Sequence, residues 1–241
     1  MSTVVRSLAA AAAQAAFPVG LRPGSAAPPS LKARPAPAAF SHAVWEDEGL
    51  PAGPVHAPSS IDIVVPTAGR PTLARLLEAV ADAPARRVIV VDDRRAGGAL
   101  DVRSGVEVVR AAGRGPAAAR NLGWRAASAA WVAFLDDDVV PSGDWGRRLA
   151  ADLAAAGPRV AAVQGRVRVP LPRDRRPTDW ERNVAGLQTA SWITADLAVR
   201  RAALSDVGGF DERFPRAYRE DADLALRLRA RGWALAAGER E

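Results

Sequence analysis

The 241-residue chain contains no cysteine. Structural disulfides, thiolate zinc sites and cysteine nucleophiles are therefore excluded. Histidine is nearly missing as well. His42 and His56 are the two in the chain, and both lie in a Pro/Ala-rich region. Histidine catalysis in an ordered core is not expected. Lys32 is the lone lysine, so the positive charge is carried almost wholly by arginine. No apolar run reaches membrane-spanning length. The segment Leu8–Phe17 is too short and too Ala-rich to span, and with one charge before it and no cleavage site after it, it makes a poor signal peptide. The net charge is +6, yet the arginines are scattered among acids rather than gathered in a stripe with aromatics. A nucleic-acid partner is not expected. Attraction to anionic substrates, or peripheral contact with an acidic membrane surface, stays open.

Hydrophobic residues make up 49% of the chain, enough for one sizeable α/β domain plus an appendage. Residues 1–58 are the appendage, because proline recurs from Pro18 to Pro58 on an alanine background and breaks both helix and sheet. They read as a disordered tail. Residues 59–241 read as one domain. Ile61–Pro66 and Arg87–Val91 are short buried strands, and Val106–Val109 is a third. Leu73, Leu76, Leu77 and Val80 recur at helical spacing after Pro71. Ala117–Ala127 and Gly143–Ala156 read as helices. Arg159–Val169 and Ser191–Val199 look extended, Trp180–Leu187 and Arg201–Asp206 are short helices, and Tyr218–Arg231 is an amphipathic helix stopped by Gly232. Strands alternating with helices imply a mostly parallel sheet with right-handed crossovers.

The stretch Trp131–Pro141 has the most chemistry. The apolar run Trp131–Leu135 is a strand covered on both faces, and it ends in Asp136, Asp137 and Asp138. Carboxylates at the carboxyl end of a buried strand sit where open α/β sheets bind ligands. Three adjacent acids repel one another unless a cation compensates, and oxygen-only ligands favour Mg²⁺ or Mn²⁺. Strand alternation lets Asp136 and Asp138 converge while Asp137 points away, bracing the turn or touching a ribose. A plain acidic turn is the competing reading. Asp92-Asp93 end the second strand. Arg120 lies just inside the helix that opens at Gly115-Pro116, whose free N–H groups suit phosphate. Asp221 shares a helix face with Leu224, Ala225 and Leu228, so it reads as an inward carboxylate and a general-base candidate. Asp223 and Arg227 are spaced for an exposed ion pair, and Glu220 and Asp221 could equally be acids favoured by a helix start.

These motifs together resemble the family 2 glycosyltransferases, an inverting group with the Rossmann-like, three-layer GT-A fold. V-V-P-T-A-G-R (64–70), V-V-D-D (90–93), G-P-A-A-A-R-N-L-G (115–123), F-L-D-D-D (134–138), V-G-G-F-D-E-R-F (207–214) and R-E-D-A-D-L-A-L-R (219–227) follow the family's order. The resemblance implies a nucleotide-sugar donor held by Pro66, Thr67, Arg70, Asp92, Asp93, Arg120, Asp136 and Asp137. It implies a divalent metal, Mg²⁺ or Mn²⁺, on Asp138 and Asp136, and Asp221 as the base that activates an acceptor hydroxyl. The acceptor would be a sugar, a lipid-linked molecule or a small molecule. Trp192, Thr194, Asp196 and Glu220 are expected on its side of the cleft. The expected location is cytoplasmic, where nucleotide-sugars are, or the inner face of the membrane.

The chain departs from the family in two places. It stops just into a strand after the Glu-Asp helix, so a GT-A domain truncated at its C-terminus is expected. Arg94-Arg95 replace the small polar residues that usually follow the acid pair, so base recognition is expected to differ. Two other classes compete. A degenerate or truncated transferase fold would be a non-catalytic binding module. D-D-D-V-V also partly fits a haloacid-dehalogenase-type phosphatase, but that class wants this strand first and a later lysine, and the sequence offers neither.

Overall fold

The computed structural model describes residues 60–241, so the expectation of a disordered tail over 1–58 lies outside the described residues. Strand β1 (Ile61–Thr67) is buried at every position but Pro66. Helix α1 (Thr72–Ala79), β2 (Arg87–Asp92), β3 (Val106–Arg110), α2 (Pro116–Ala126) and β4 (Trp131–Leu135) follow in order. Then come α3 (Trp145–Ala155), β5 (Val160–Gln164), α4 (Asp179–Ala185), β6 (Asp196–Arg200), α5 (Arg201–Val207), α6 (Glu220–Ala230) and β7 (Ala234–Ala237). Among the described residues no helix is long and apolar enough to cross a membrane.

The seven strands form one sheet in the order β3-β2-β1-β4-β6-β5-β7. β1 pairs in parallel with both β2 and β4. β6 runs antiparallel to β4 and β5, and β7 is parallel to β5. The sheet is thus mostly parallel, as the alternation of elements requires.

Alternation along the strands makes the layers. Val64, Ile89, Val91, Val132 and Phe134 face a core shared with α2, α5 and α6. Ile61, Ile63, Val65, Val88, Val90, Trp131, Ala133 and Leu135 face the opposite core, shared with α1 and α3. Helix α2 lies tight on the sheet because Gly123 has no side chain. A Cβ there would sit 2.3 Å from Val64 Cγ1 and 3.0 Å from Val91 Cγ2.

The chain builds outward from β1 through β2 to β3, then returns to add β4 on β1's other side. The order reverses between β1 and β4. Crossover helices leave a crevice at that point, outside the carboxyl ends of the strands. Thr67 and the Asp136–Asp138 cluster lie at those ends.

The strand bounds differ from the sequence reading where pairing stops. β5 ends at Gln164 rather than Val169, and β6 begins at Asp196 rather than Ser191. Helix α6 starts at Glu220 because Arg219 has a left-handed backbone, φ 71°. A non-glycine residue rarely adopts that conformation outside functional or over-determined sites.

Candidate active site

The three acids after β4 divide between two arginines, and it is Asp137 and Asp138, rather than the expected Asp136 and Asp138, that share one. Asp136 accepts from Arg120 Nη2 at 2.8 Å. Asp137 accepts from Thr67 Oγ1 at 2.6 Å and from Arg70 Nη1 at 2.7 Å. The same Arg70 nitrogen reaches Asp138 Oδ2 at 2.9 Å. Thr67 Oγ1 in turn accepts the Gly69 N–H, so Asp137 ties the β4 end to the β1–α1 turn. Two arginines therefore offset part of the repulsion among the acids. Asp138 still carries excess negative charge. Burial foremost, then Asp136, push its carboxyl up to about 6 against the pull of Arg70.

Arg120 is the hub of the crevice. Its side chain is 3% exposed, and besides Asp136 it donates from Nη1 to Glu220 Oε1 at 2.8 Å. The guanidinium also lies over the Phe210 ring, 5.7 Å from its centroid. The fork expected to receive phosphate is thus engaged by two carboxylates, which differs from the sequence reading. Spacing indicates which face of a helix Arg120 takes, but not the acid that meets it 100 residues later. One Arg120 bond reaches the end of β4 and the other the first residue of α6, so it closes the crevice across α2.

At the start of α6, Glu220 and not Asp221 is the deeply buried acid. Glu220 shares its face with Leu224 and Leu228 at intervals of four. Burial raises its pKa, opposed by Arg120. Asp221 is half-buried beside it, and its Oδ1 accepts the Ala222 N–H at 2.8 Å. Its pKa is also raised, chiefly by burial, with Arg120 opposing and Asp136 adding. Asp221 thus feels the charges of the β4 end while remaining reachable from solvent. The Asp223–Arg227 pair is not a purely solvated one. Arg227 holds Asp223 at 2.8 Å and also donates to the carbonyls of Val207 and Gly209, fastening the Gly-Gly loop.

The acid pair after β2 is already engaged. Asp92 is buried and takes Arg94 in a two-point pair, Nε at 2.8 Å and Nη2 at 2.9 Å, plus the Arg94 N–H at 3.1 Å. Those bonds, Arg94's side chain foremost, hold its pKa below the ordinary aspartate value. Asp93 accepts the N–H groups of Arg114 and Gly115, at 2.8 and 2.9 Å. The N–H of Gly115, expected to be free for phosphate, therefore braces the loop. The sequence reading singled out Arg94 only as a departure from the family. Its charge beside Asp92 was the available signal.

On the opposite side, Asp196 is buried. It accepts Trp145 Nε1 at 2.7 Å and Arg240 Nε at 2.8 Å, so its carboxylate also holds α3 to the segment after β7. Thr194 is buried too. Trp192 has a left-handed backbone, φ 66°, and its N–H donates to Gln164 Oε1. Trp192 and Thr194 do not line the cleft of about 410 Å³ that opens beside Asp138, whereas Asp196 does. Asn121 went unassigned in the sequence. Its side chain bonds both N–H and C=O of Phe210, as well as Glu212 and Trp124, and so moors the Gly-Gly-Phe-Asp-Glu loop to α2.

Among the described residues no group of three or more His, Cys, Asp or Glu side chains forms a metal cluster. Asp136 and Asp138 do fit a hard cation that keeps other ligands. They are oxygen donors following the end of β4, and besides burial the charge of Asp136 raises the Asp138 pKa, so a cation there would relieve the repulsion between them. Mg²⁺ and Mn²⁺ commonly take one or two carboxylates and complete their shell with phosphate and water.

Residues 62–212, more than half of the chain, match the sequence model described as "Glycosyl transferase family 2". The curated proteins similar to this chain include the pre-mycofactocin glycosyltransferase of Mycobacterium tuberculosis, 34% identical over 201 residues, covering 74% of this chain and 40% of the relative. The chain thus spans well under half the length of that relative. A solved mannosyltransferase from Pyrobaculum calidifontis, in complex with GDP-Man and Mn²⁺, superposes with a TM-score of 0.55 at 21% identity, over 78% of this chain and 57% of that one. Glucosyl-3-phosphoglycerate synthase from Mycobacterium tuberculosis, in complex with UDP, gives 0.52 at 17% identity, over 78% and 76%. These two likenesses establish the shared GT-A fold. The matched motifs and the 34% identity go further, and the chain belongs to glycosyl transferase family 2.

Proposed function

We propose that the chain transfers a sugar from a nucleotide-diphosphate donor to an acceptor hydroxyl, with inversion at the anomeric carbon. The observation that carries the reading is Arg120, which binds Asp136 and Glu220 together and so brings the β4 acids and the start of α6 to one crevice. That crevice lies at the sheet's switch point, where open α/β folds bind nucleotides. The GDP-Man, UDP and Mn²⁺ named for the structural relatives agree with it.

In this mechanism Thr67, Arg70 and Asp137 shape the donor side, and Asp92 and Asp93 fix the loops that flank it. Asp136 and Asp138 would hold Mg²⁺ or Mn²⁺, which when bound offsets charge on the leaving diphosphate. Asp221 takes the proton from the acceptor hydroxyl. Its pKa, raised chiefly by burial, makes it a better base than an ordinary aspartate. The freed oxygen attacks the anomeric carbon from the face opposite the diphosphate, and no covalent enzyme intermediate forms. Arg120 and Glu220 position the two acids rather than react. The acceptor is a sugar, a lipid-linked molecule or a small molecule.

The test is a screen of nucleotide-sugars for Mn²⁺-dependent transfer or hydrolysis, followed by Asp221→Asn. Loss of a positioned base should slow transfer by about 10²–10⁴-fold, with the nucleotide's Kd unchanged. Equal rates in variant and wild type would remove Asp221 from the role. A chain that binds no nucleotide would instead favour a non-catalytic binding module.

A further inference from the structure

We infer that the cleft beside Asp138 is a subsite for an acceptor bearing a carboxylate or phosphate group, held by Arg166 and Arg168. This inference rests on the glycosyltransferase reading and adds the acceptor's chemical class. The cleft of about 410 Å³ begins at Val139, directly after the acid cluster, and runs to Trp145 and residues 166–168. Val139, Val140 and Pro141 make one side apolar, Arg148, Arg166 and Arg168 bring positive charge to it, and Asp144, Asp196 and Glu241 line it as carboxylates that an incoming anion must displace or avoid. An apolar wall with a few convergent charges is the usual form of a site for a small polar molecule. Its position next to Asp138, and on the far side of the β4 end from Asp92, suits an acceptor rather than a nucleotide.

The arginines now hold carboxylates of the chain itself. Arg166 Nη2 pairs with Glu239 Oε2 at 2.8 Å, and Arg168 Nε with Glu241 Oε1 at 3.0 Å. Arg148 is bound to Asp144 at 2.6 Å. The Arg166 and Arg168 side chains are 61% and 58% exposed, and Glu239 and Glu241 are 73% and 46% exposed. Ion pairs this exposed are weak, so a ligand carboxylate or phosphate can take the place of either glutamate. The incoming anion would meet two arginine forks at once, which planar two-point bonding favours. The backbone beneath stays fixed without these side chains, because the Arg166 N–H donates to the Arg240 carbonyl at 2.7 Å.

Calorimetric titration of the full chain at low salt with inorganic phosphate, with succinate and with uncharged glycerol tests this. Wild type is compared with Arg166→Ala/Arg168→Ala and with Glu239→Gln/Glu241→Gln. At least one anion should bind wild type and glycerol should not. Removing both charge-assisted partners should weaken anion binding about tenfold or more. Removing the competing glutamates should tighten it. The tighter of the two anions names the acceptor's charged group. Equal binding by wild type and the arginine variant, or no anion binding even to the glutamate variant, overturns the inference. UDP with Mn²⁺ is titrated in parallel and should bind all three proteins alike. Failure of UDP to bind any of them would count against the transferase reading, while the anion titrations still decide the cleft.

Discussion

Replacing Arg120 by methionine tests the assembly of the crevice. Methionine keeps much of the arginine's length and apolar stem but leaves Asp136 and Glu220 without their shared cation. The two losses are unequal. Asp136 is 32% exposed and can turn to water, whereas the Glu220 side chain is 3% exposed. Removing one partner of a buried ion pair costs about 3–5 kcal/mol, and most of that falls on Glu220. For a domain of this size the thermal midpoint should drop by about 6–20 °C. The cost must also depend on pH. Burial already raises the Glu220 pKa with the arginine in place. Without it the folded state holds that proton to still higher pH than the unfolded state does. Stability of the variant therefore falls as pH rises above the ordinary glutamate range, and the deficit is larger at pH 8 than at pH 5. Urea unfolding at both values, with an unchanged denaturant slope, gives the numbers. Adding Glu220→Gln should restore most of the loss, because no buried charge is left unpaired. A deficit under about 1 kcal/mol, one indifferent to pH, or one that Glu220→Gln does not relieve would refute the reasoning.

Gly123→Ala should destabilise by at least about 1–3 kcal/mol, read by urea unfolding, because the new methyl meets Val64 Cγ1 at 2.3 Å and β-branched core neighbours cannot swing away. An unchanged midpoint would mean that α2 can lift off the sheet freely. Arg94→Ser should release Asp92, whose pKa then returns toward the ordinary aspartate value. It should change the ratio of Kd values for UDP and GDP while leaving inorganic pyrophosphate binding alone; a uniform change across all three would place Arg94 away from the base.

Much of the architecture was legible in the sequence, because the strands that build it are continuous apolar runs. Ile61–Pro66, Arg87–Val91 and Trp131–Leu135 could hardly be anything but buried strands, and their acidic ends marked the edge that carries the crevice. The antiparallel β6 was not legible. Its direction depends on which edge the chain joins, and local pattern carries no such information. Partnerships were the least readable part. Arg120 and Glu220 stand 100 residues apart, and Asp196 and Arg240 stand 44 apart. With so many arginines scattered among acids, spacing alone could not say which pairs meet. It also placed Asp221 on the deeper face of α6, because Asp221 and Glu220 both lie within one turn of the apolar stripe, Glu220 four residues before Leu224 and Asp221 three.

Calorimetric titration of UDP and GDP against the chain, with Mn²⁺ and then with EDTA, tests the central claim most directly. The account predicts that at least one nucleotide binds at pH 7.5 in Mn²⁺ and that EDTA or Asp138→Asn abolishes most of the affinity. Because burial, then Asp136, push the Asp138 carboxyl up to about 6, a proton competes with the cation below that pH, and binding in Mn²⁺ must weaken at pH 5.5. Nucleotide binding that is the same in Mn²⁺, in EDTA and in the Asp138→Asn variant would contradict the claim, as would no binding of either nucleotide.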